Sequence, residues 1–413
     1  MMKKLLRRAA GLGGLILAVS AVNAQDMDQA DVPAVTSDVD TVARMKKEIE
    51  TLTRENRELK AKLAVAGGLA PANPAPVGVT NLFDANEKLS QKHADAVLII
   101  EGDHSVGTGF VAALGGKKYL YTAAHVLSGN TKFTIRNSSG TKLTKFGQME
   151  TAEGADLARI QLLEDPPAFE LATAGSAIQI NTDIAALGNG GGAGVVSVEK
   201  GHILGTSGDS IEVDAEIIQG NSGGPVVDVA DSKVVGVATH LTAGRKDIWA
   251  SGTRQAEVRR FACRVNKEWP WKSTNITGFL AEGNAVADFD NITRLCYAMA
   301  LLEPMTNGMR FDLNVGGNYT AAQILEANKS LPIVQSLYKM NSDLAGKKIG
   351  TSEADLKRQF RSLIGQALGM ATKSQGTLNI TKMAWFHRKN AEDSIKFRQT
   401  AVDLLNQRYE GLK

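Results

Sequence analysis

The stretch Gly220-Asn221-Ser222-Gly223-Gly224-Pro225 reads as a nucleophile held in a tight turn. A serine hydroxyl attacks poorly unless a base takes its proton as it attacks. Attack on a carbonyl also creates an oxyanion, which needs donors already in place. A glycine two residues before Ser222 lets the N–H groups of Gly220 and Ser222 aim at one point, and Gly223 and Gly224 leave room for a substrate backbone. Taken alone, the stretch is also compatible with an ordinary glycine-rich turn. Two further segments bear on the choice. Tyr121-Thr122-Ala123-Ala124-His125-Val126-Leu127 ends an apolar strand in a histidine, and the small residues before it make space for an imidazole beside a serine. Ala155-Asp156-Leu157-Ala158-Arg159-Ile160 places an acid just before another apolar strand. That acid can accept from His125 Nδ1, fix the tautomer and stabilise the imidazolium that forms. A lone histidine is most often structural, and an acid before a strand is often a solvated turn residue. A base, an orienting acid and a nucleophile in this set point instead to acyl transfer.

The elements around these residues are short strands with turns between them. Ala96–Ile100, Gly107–Val111, Lys118–Thr122, Phe133–Ile135, Leu157–Ile160, Ile184–Leu187, Val195–Val198 and Val234–Val237 follow one another through about residues 95–250. Many short strands separated by glycine-rich turns indicate a β-sandwich or barrel. After about residue 270 the pattern becomes helical, with segments at Val286–Leu302, Ala321–Asn341, Glu353–Thr372 and Ala391–Arg408.

Upstream, residues 1–24 read as a secretory signal. Lys3, Lys4, Arg7 and Arg8 precede an apolar run from Ala9 to Val22, and Val22-Asn23-Ala24 fits a cleavage site. The run is shorter than the roughly 20 residues a membrane span requires, so cleavage after Ala24 is expected over an uncleaved anchor. Residues 41–66 carry a heptad pattern. Val42, Met45, Ile49, Leu52, Asn56, Leu59 and Leu63 alternate steps of three and four, with Val42, Ile49 and Asn56 at a and Met45, Leu52 and Leu59 at d. That arrangement favours a small parallel oligomer, dimer or trimer; the alternative is one amphipathic helix packed on the body. The Gly, Pro and Ala of residues 67–82 make a spacer.

The order His125, Asp156, Ser222, with these local motifs, resembles the trypsin/chymotrypsin-like serine proteases, and most closely their HtrA/Deg-like bacterial branch. The matching segments are Gly107-Thr108-Gly109-Phe110, Thr122–His125, Asp156-Leu157-Ala158, Leu187-Gly188-Asn189, Gly194–Ser197, Asp214-Ala215 and Gly220–Pro225, together covering about residues 95–245. The resemblance implies an all-β double β-barrel (chymotrypsin-like) protease domain at 83–265; the heptad pattern places a coiled-coil helix before it, and the helical pattern a C-terminal α-helical domain at 276–413, which departs from the family. It implies a serine endopeptidase with His125, Asp156 and Ser222 as triad and Gly220 and Ser222 as oxyanion hole. It also implies that Ala238, Thr239 and His240 lie along the pocket wall that pairs with substrate backbone, with His240 either touching substrate or shielding the triad. Glu216 either lines the floor of the primary pocket, favouring Lys or Arg before the scissile bond, or is a surface glutamate. Asn221 stands where digestive proteases carry an aspartate that captures a new N-terminus, so that activation is not implied. No PDZ module follows; the C-terminal helices could recruit substrate, cover the site or support assembly.

Composition excludes several classes. Apolar residues make up 43% and charged residues 22%, which belongs to a folded globular chain. The net charge is +3; without the four basic residues of the signal the remainder is near neutral, giving no reason to expect nucleic acid or an anionic membrane as partner. His93, His104, His125, His202, His240 and His387 show no metal-ligand spacing, and no cofactor is expected. Cys263 and Cys296 are read as a disulfide in an exported chain, with two buried thiols as the alternative. The expected partners are protein or peptide substrates and further copies of the chain, in the periplasm or outside the cell. A non-catalytic scaffold and a protease that cuts only itself are the competing readings.

Overall fold

The computed structural model describes residues 89, 91–242, 257–302, 321–345, 353–376 and 378–413. The expected signal at 1–24, coiled coil at 41–66 and linker at 67–82 lie outside them. A short helix, α1 (Gln91–Asp95), leads into β1 (Val97–Gly102). The run Val97–Ile100 is wholly buried, as a strand covered on both faces must be. β2 (Val106–Leu114) and β3 (Lys117–Thr122) pair with it in sequence as a meander. A one-turn helix, α2 (Ala124–Leu127), follows β3 directly. Then come β4 (Phe133–Asn137), β5 (Lys142–Leu143), β6 (Phe146–Ala152), β7 (Ala158–Leu162) and β8 (Phe169–Glu170). The second set is β9 (Asp183–Gly188), β10 (Ser197–Thr206), β11 (Ser210–Val213), β12 (Pro225–Asp228), β13 (Val234–Thr242) and β14 (Arg259–Arg264). β15 (Trp271–Thr274) closes the list.

The second set forms a closed barrel in the order β10-β11-β14-β13-β12-β9. The first does not close, which corrects the expectation of two barrels. It is a nine-stranded sheet in the order β15-β6-β7-β3-β2-β1-β4-β5, with β8 beside β2. The physical reason lies in β6. A strand has two edges; β7 takes one and β15, arriving after the barrel is complete, takes the other through Ala152↔Trp271 to Met149↔Thr274. β5 therefore has no edge of β6 left to join. Side chains from both sheets meet in one core, with Val97, Ile99, Phe110 and Tyr121 from the first and Leu187, Val227, Val234 and Val237 from the second.

The helical region comprises α3 (Ile276–Leu301), α4 (Ala321–Ala327), α5 (Pro332–Ala345), α6 (Glu353–Gln375) and α7 (Trp385–Gly411). Asn275 caps α3 by accepting from the Gly278 N–H at 2.7 Å, satisfying one of the unpaired donors at a helix start. α3 serves two cores. Its first turns bury Phe279 and Leu280 among residues of the open sheet. Its last turns bury Leu295, Cys296 and Met299 against Leu325, Leu337, Phe360, Ile364 and Leu405 of the other helices. The helices are thus packed onto the first sheet. Cys263 belongs to the core between the sheets and Cys296 to the helical core, and both are free thiols. The expected disulfide is corrected accordingly. No helix among the described residues is long and apolar enough to cross a membrane.

Candidate active site

His125 is the second residue of α2, and the register of the sheet puts Asp156 beside it. β3 and β7 pair as Thr122↔Ala158; carried two residues further, that antiparallel ladder sets Asp156 opposite the start of α2. The contact is double. The His125 backbone N–H donates to Asp156 Oδ1 at 2.9 Å, and Nδ1 lies 2.6 Å from Oδ2. Both side chains keep about a quarter of their surface, 29% and 24%. Burial disfavours charge on either group, yet the Asp156 charge and hydrogen bond raise the His125 pKa above its ordinary value. Against the same burial, His125 and the nearby His240 hold Asp156 below the usual carboxylate range. The geometry fixes Nδ1 as the protonated nitrogen and leaves Nε2 to act as base.

Ser222 lies on the barrel side of the site, just before β12. Its carbonyl accepts from the Thr108 N–H at 2.8 Å, which ties the turn to β2. Gly223, at φ +86°, explains why the turn needs glycine: a Cβ there would fall 2.0 Å from the Thr108 carbonyl and 2.2 Å from Thr122 Oγ1. The residue after Ser222 is therefore pressed against the strand end that leads to His125. The Gly223 N–H donates to the Ala238 carbonyl at 2.7 Å, and Ala238 N–H to the Gly224 carbonyl at 2.9 Å. Among the described residues, Ser222 Oγ has no hydrogen-bond partner; nucleophile–base bonds are often loose until substrate is bound.

The backbone before Ser222 is set by the loop at residues 189–194. Gly191 N–H donates to the Gln219 carbonyl at 2.7 Å. The Gln219–Gly220 peptide is trans, so the N–H of Gly220 points away from that carbonyl. Gly220 has φ +99°, and a Cβ on it would lie 2.1 Å from the Asn189 carbonyl. Neither Gly220 N–H nor Ser222 N–H donates to another group among the described residues, leaving two donors for an anion. Asn221 is buried, and its Oδ1 accepts from the Ile218 N–H at 3.2 Å. It therefore holds the loop from within, without the ion pair an aspartate would need.

The candidate substrate residues divide. Ala238 and Thr239 are buried on β13 next to the Ser222 turn. His240 is exposed, stacks on Phe261 at 4.9 Å and sits 3.1 Å from Thr239 Oγ1. Glu216 is exposed while its neighbours Ala215 and Ile217 are buried in the barrel core. Arg260 instead reaches that segment, its Nε donating to the Ile217 carbonyl at 3.0 Å. Thr108 carries no role in the sequence motifs, yet it joins three parts of the site. Fully buried, it donates to the Gly220 carbonyl at 2.6 Å and accepts from the Asn189 N–H at 2.9 Å, joining the loop, the strand and the turn before Ser222. Its signal in the sequence is a polar residue inside an apolar strand.

Residues 107–237 match the family model of the trypsin-like peptidase domain. A periplasmic DegP-like serine endoprotease of Bartonella henselae is 34% identical over 145 residues, which is 33% of this chain and 28% of the relative. A mitochondrial Do-like protease of Arabidopsis thaliana is 32% identical over 146 residues, covering 32% of this chain and 25% of the relative. The chain thus spans about a quarter of the length of these curated relatives. Among solved structures, the HtrA-type protease AlgW with tripeptide is 26% identical, with 42% of this chain and 58% of that chain covered and a TM-score of 0.33. The family match ends before the helices begin. Over residues 107–237 this chain is thus similar to the trypsin-like peptidase domain, and the two curated relatives named are DegP-like and Do-like proteases.

Proposed function

We propose that the protein is an exported serine endopeptidase. Ser222 Oγ attacks the carbonyl carbon of a peptide bond while His125 Nε2 takes its proton and Asp156 holds the imidazolium. The tetrahedral oxyanion is met by the N–H groups of Gly220 and Ser222. The C–N bond then breaks, His125 returns the proton to the leaving amine, and an ester to Ser222 remains. Water, deprotonated by His125, hydrolyses that ester and frees the serine. The observation that carries this reading is the doubly hydrogen-bonded His125–Asp156 pair beside a turn that leaves two N–H groups unused. Ala238, Thr239 and His240 would run alongside the substrate backbone. Residues 1–24 would direct export to the periplasm or beyond, and residues 41–66 would join copies of the chain.

Casein digestion by the full chain, beside Ser222→Ala, tests the reading. Fragments from the parent alone are expected. Intact casein in both, with the parent's own chain cut between residues 67 and 82, would replace it with self-processing. No cleavage of either would leave a scaffold.

A further inference from the structure

The proposed chemistry leaves the C-terminal helices without a task, yet they meet the sheet at the back of the turn that carries His125. Phe279 and Leu280 of α3 and Ala384, just before α7, are buried in one cluster with Ala123, Ala124, Val126 and Leu127. Those four residues flank His125 on both sides. Next to them the helices approach so closely that a Cβ on Gly283 would lie 2.9 Å from Ser128 Oγ, 3.0 Å from His387 Nε2 and 3.1 Å from Gly129 N. His387 of α7 is 1% exposed. Its Nε2 is 3.0 Å from Ser128 Oγ, its Nδ1 is 3.2 Å from Glu282 Oε2, and its ring packs on Phe279 at 4.1 Å. Glu282 Oε2 also accepts from the Ala384 N–H at 3.0 Å, fixing the start of α7 on α3.

Ser128 is the residue that ends α2, its N–H donating to the Ala124 carbonyl at 3.1 Å. A second line runs beside the first. Asn284 Nδ2 donates to the Asn130 carbonyl at 3.2 Å, and the buried Asn130 donates to the Val126 carbonyl at 3.0 Å. A helix of one turn has almost no hydrogen bonding of its own and does not persist unaided. Its orientation must come from neighbours, and both lines supply it from the helical region. A buried histidine with both ring nitrogens engaged is a costly way to fill space, since any unmatched polar atom there is penalised. An apolar side chain would serve packing alone.

We infer that His387 is a positioning residue for His125: through Ser128 it fixes the turn that carries the base, making the C-terminal helices a brace of the site rather than a cover. The inference rests on the reading of His125 as the base of Ser222.

The test uses the full chain with Ser128→Ala, His387→Asn and His387→Gln. The longer amide of Gln reaches the place of Nε2 and keeps the bond to Ser128, whereas Asn reaches only toward Glu282. Misplacing a catalytic group by about 1 Å costs on the order of 100-fold. Ser128→Ala and His387→Asn should therefore lower kcat on a peptide substrate by about 10- to 100-fold with KM nearly unchanged, and His387→Gln should stay within about threefold. Histidine 13C NMR in a Ser222→Ala background supplies a readout that needs no activity. There the His125 titration should move in the first two variants and not in the third. Parent-like kcat and titration in Ser128→Ala and His387→Asn would overturn the inference, whatever their melting temperatures. Equal loss in Asn and Gln would also overturn it, leaving a structural role. An inactive parent would sink the endopeptidase reading, while the titration would still decide whether His387 governs His125.

Discussion

The two halves of the site are held in different ways. Ser222 stands on a closed barrel whose strands are hydrogen-bonded on both sides, and its turn is tied to β13 through Ala238 and to β2 of the other sheet through Thr108. His125 and Asp156 stand on an open sheet, and the turn bearing His125 leans on helices that follow the barrel. The hydrogen bond between Ser128 and His387 joins residues 259 positions apart. A closed barrel has no unpaired edge to protect. The open sheet buries a second apolar face against Phe279 and Leu280 of α3 and Ala384 before α7. Both halves draw on distant segments, the proposed nucleophile through a strand and the proposed base through helices.

The largest effects should come from the chemistry common to both halves. Ser222→Ala should abolish peptide cleavage. Asp156→Asn should lower kcat by about 10⁴-fold, by analogy with the same change in trypsin-like triads, with the fold intact by circular dichroism. A milder loss would mean that His125 is held mainly by its brace.

The next effect separates the halves. Phe279→Ala removes a fully buried ring from the open-sheet core and should cost about 3–5 kcal/mol in urea unfolding. Proteolysis or hydrogen exchange should show β1, β3 and α2 loosening before the barrel strands. Uniform loosening would show that the two halves unfold as one unit and that the distinction drawn here is only geometric.

pH sharpens the comparison at the pair itself. His125 has a raised pKa in the fold. Its contribution to stability is fully present below its unfolded pKa of about 6.5 and is lost as pH rises through the higher folded value. Catalysis runs the other way, because only the neutral ring accepts a proton. kcat/KM should therefore rise through a pKa above about 6.5 while the melting temperature falls slightly. Asp156, with a lowered pKa, contributes stability above about 3.9 that is lost as pH falls through its folded value. Paired rate and melting profiles check both signs.

The smallest effect concerns the cysteines. Burial pushes the Cys263 thiol up to about 12 and Cys296 up to about 11. Neither should react with a thiol reagent in the folded protein, and a reductant should leave the melting temperature unchanged. A reductant-sensitive melt would restore the disulfide.

Much of this was legible in the sequence because the chemistry is local. The turn around Ser222, the strand end at His125 and the acid before β7 each carry their own signal within a few residues. Helical segments could be read from the residue pattern, although Ala321–Asn341 is two helices, Ala321–Ala327 and Pro332–Ala345, and α3 begins ten residues earlier than expected, at Ile276, where Asn275 caps it. What could not be read is pairing between distant segments. Nothing in Trp271–Thr274 announces that it will occupy the free edge of β6 and keep the sheet open. Nothing local to His387 announces Ser128. Thr108 lay inside a recognised strand, but its two partners are on a loop and a turn far along the chain. Glu216 is exposed between the buried Ala215 and Ile217, and its position along the chain does not determine which side of the backbone its side chain takes.

The central claim is that one nucleophile is activated at the seam between the two halves. Fluorophosphonate labelling of the full chain, with the modified peptide identified by mass spectrometry, tests it most directly. The account predicts a single label on Ser222, lost in Ser222→Ala and greatly slowed in His125→Ala. No label on the folded parent, or a label that persists in Ser222→Ala, would contradict it.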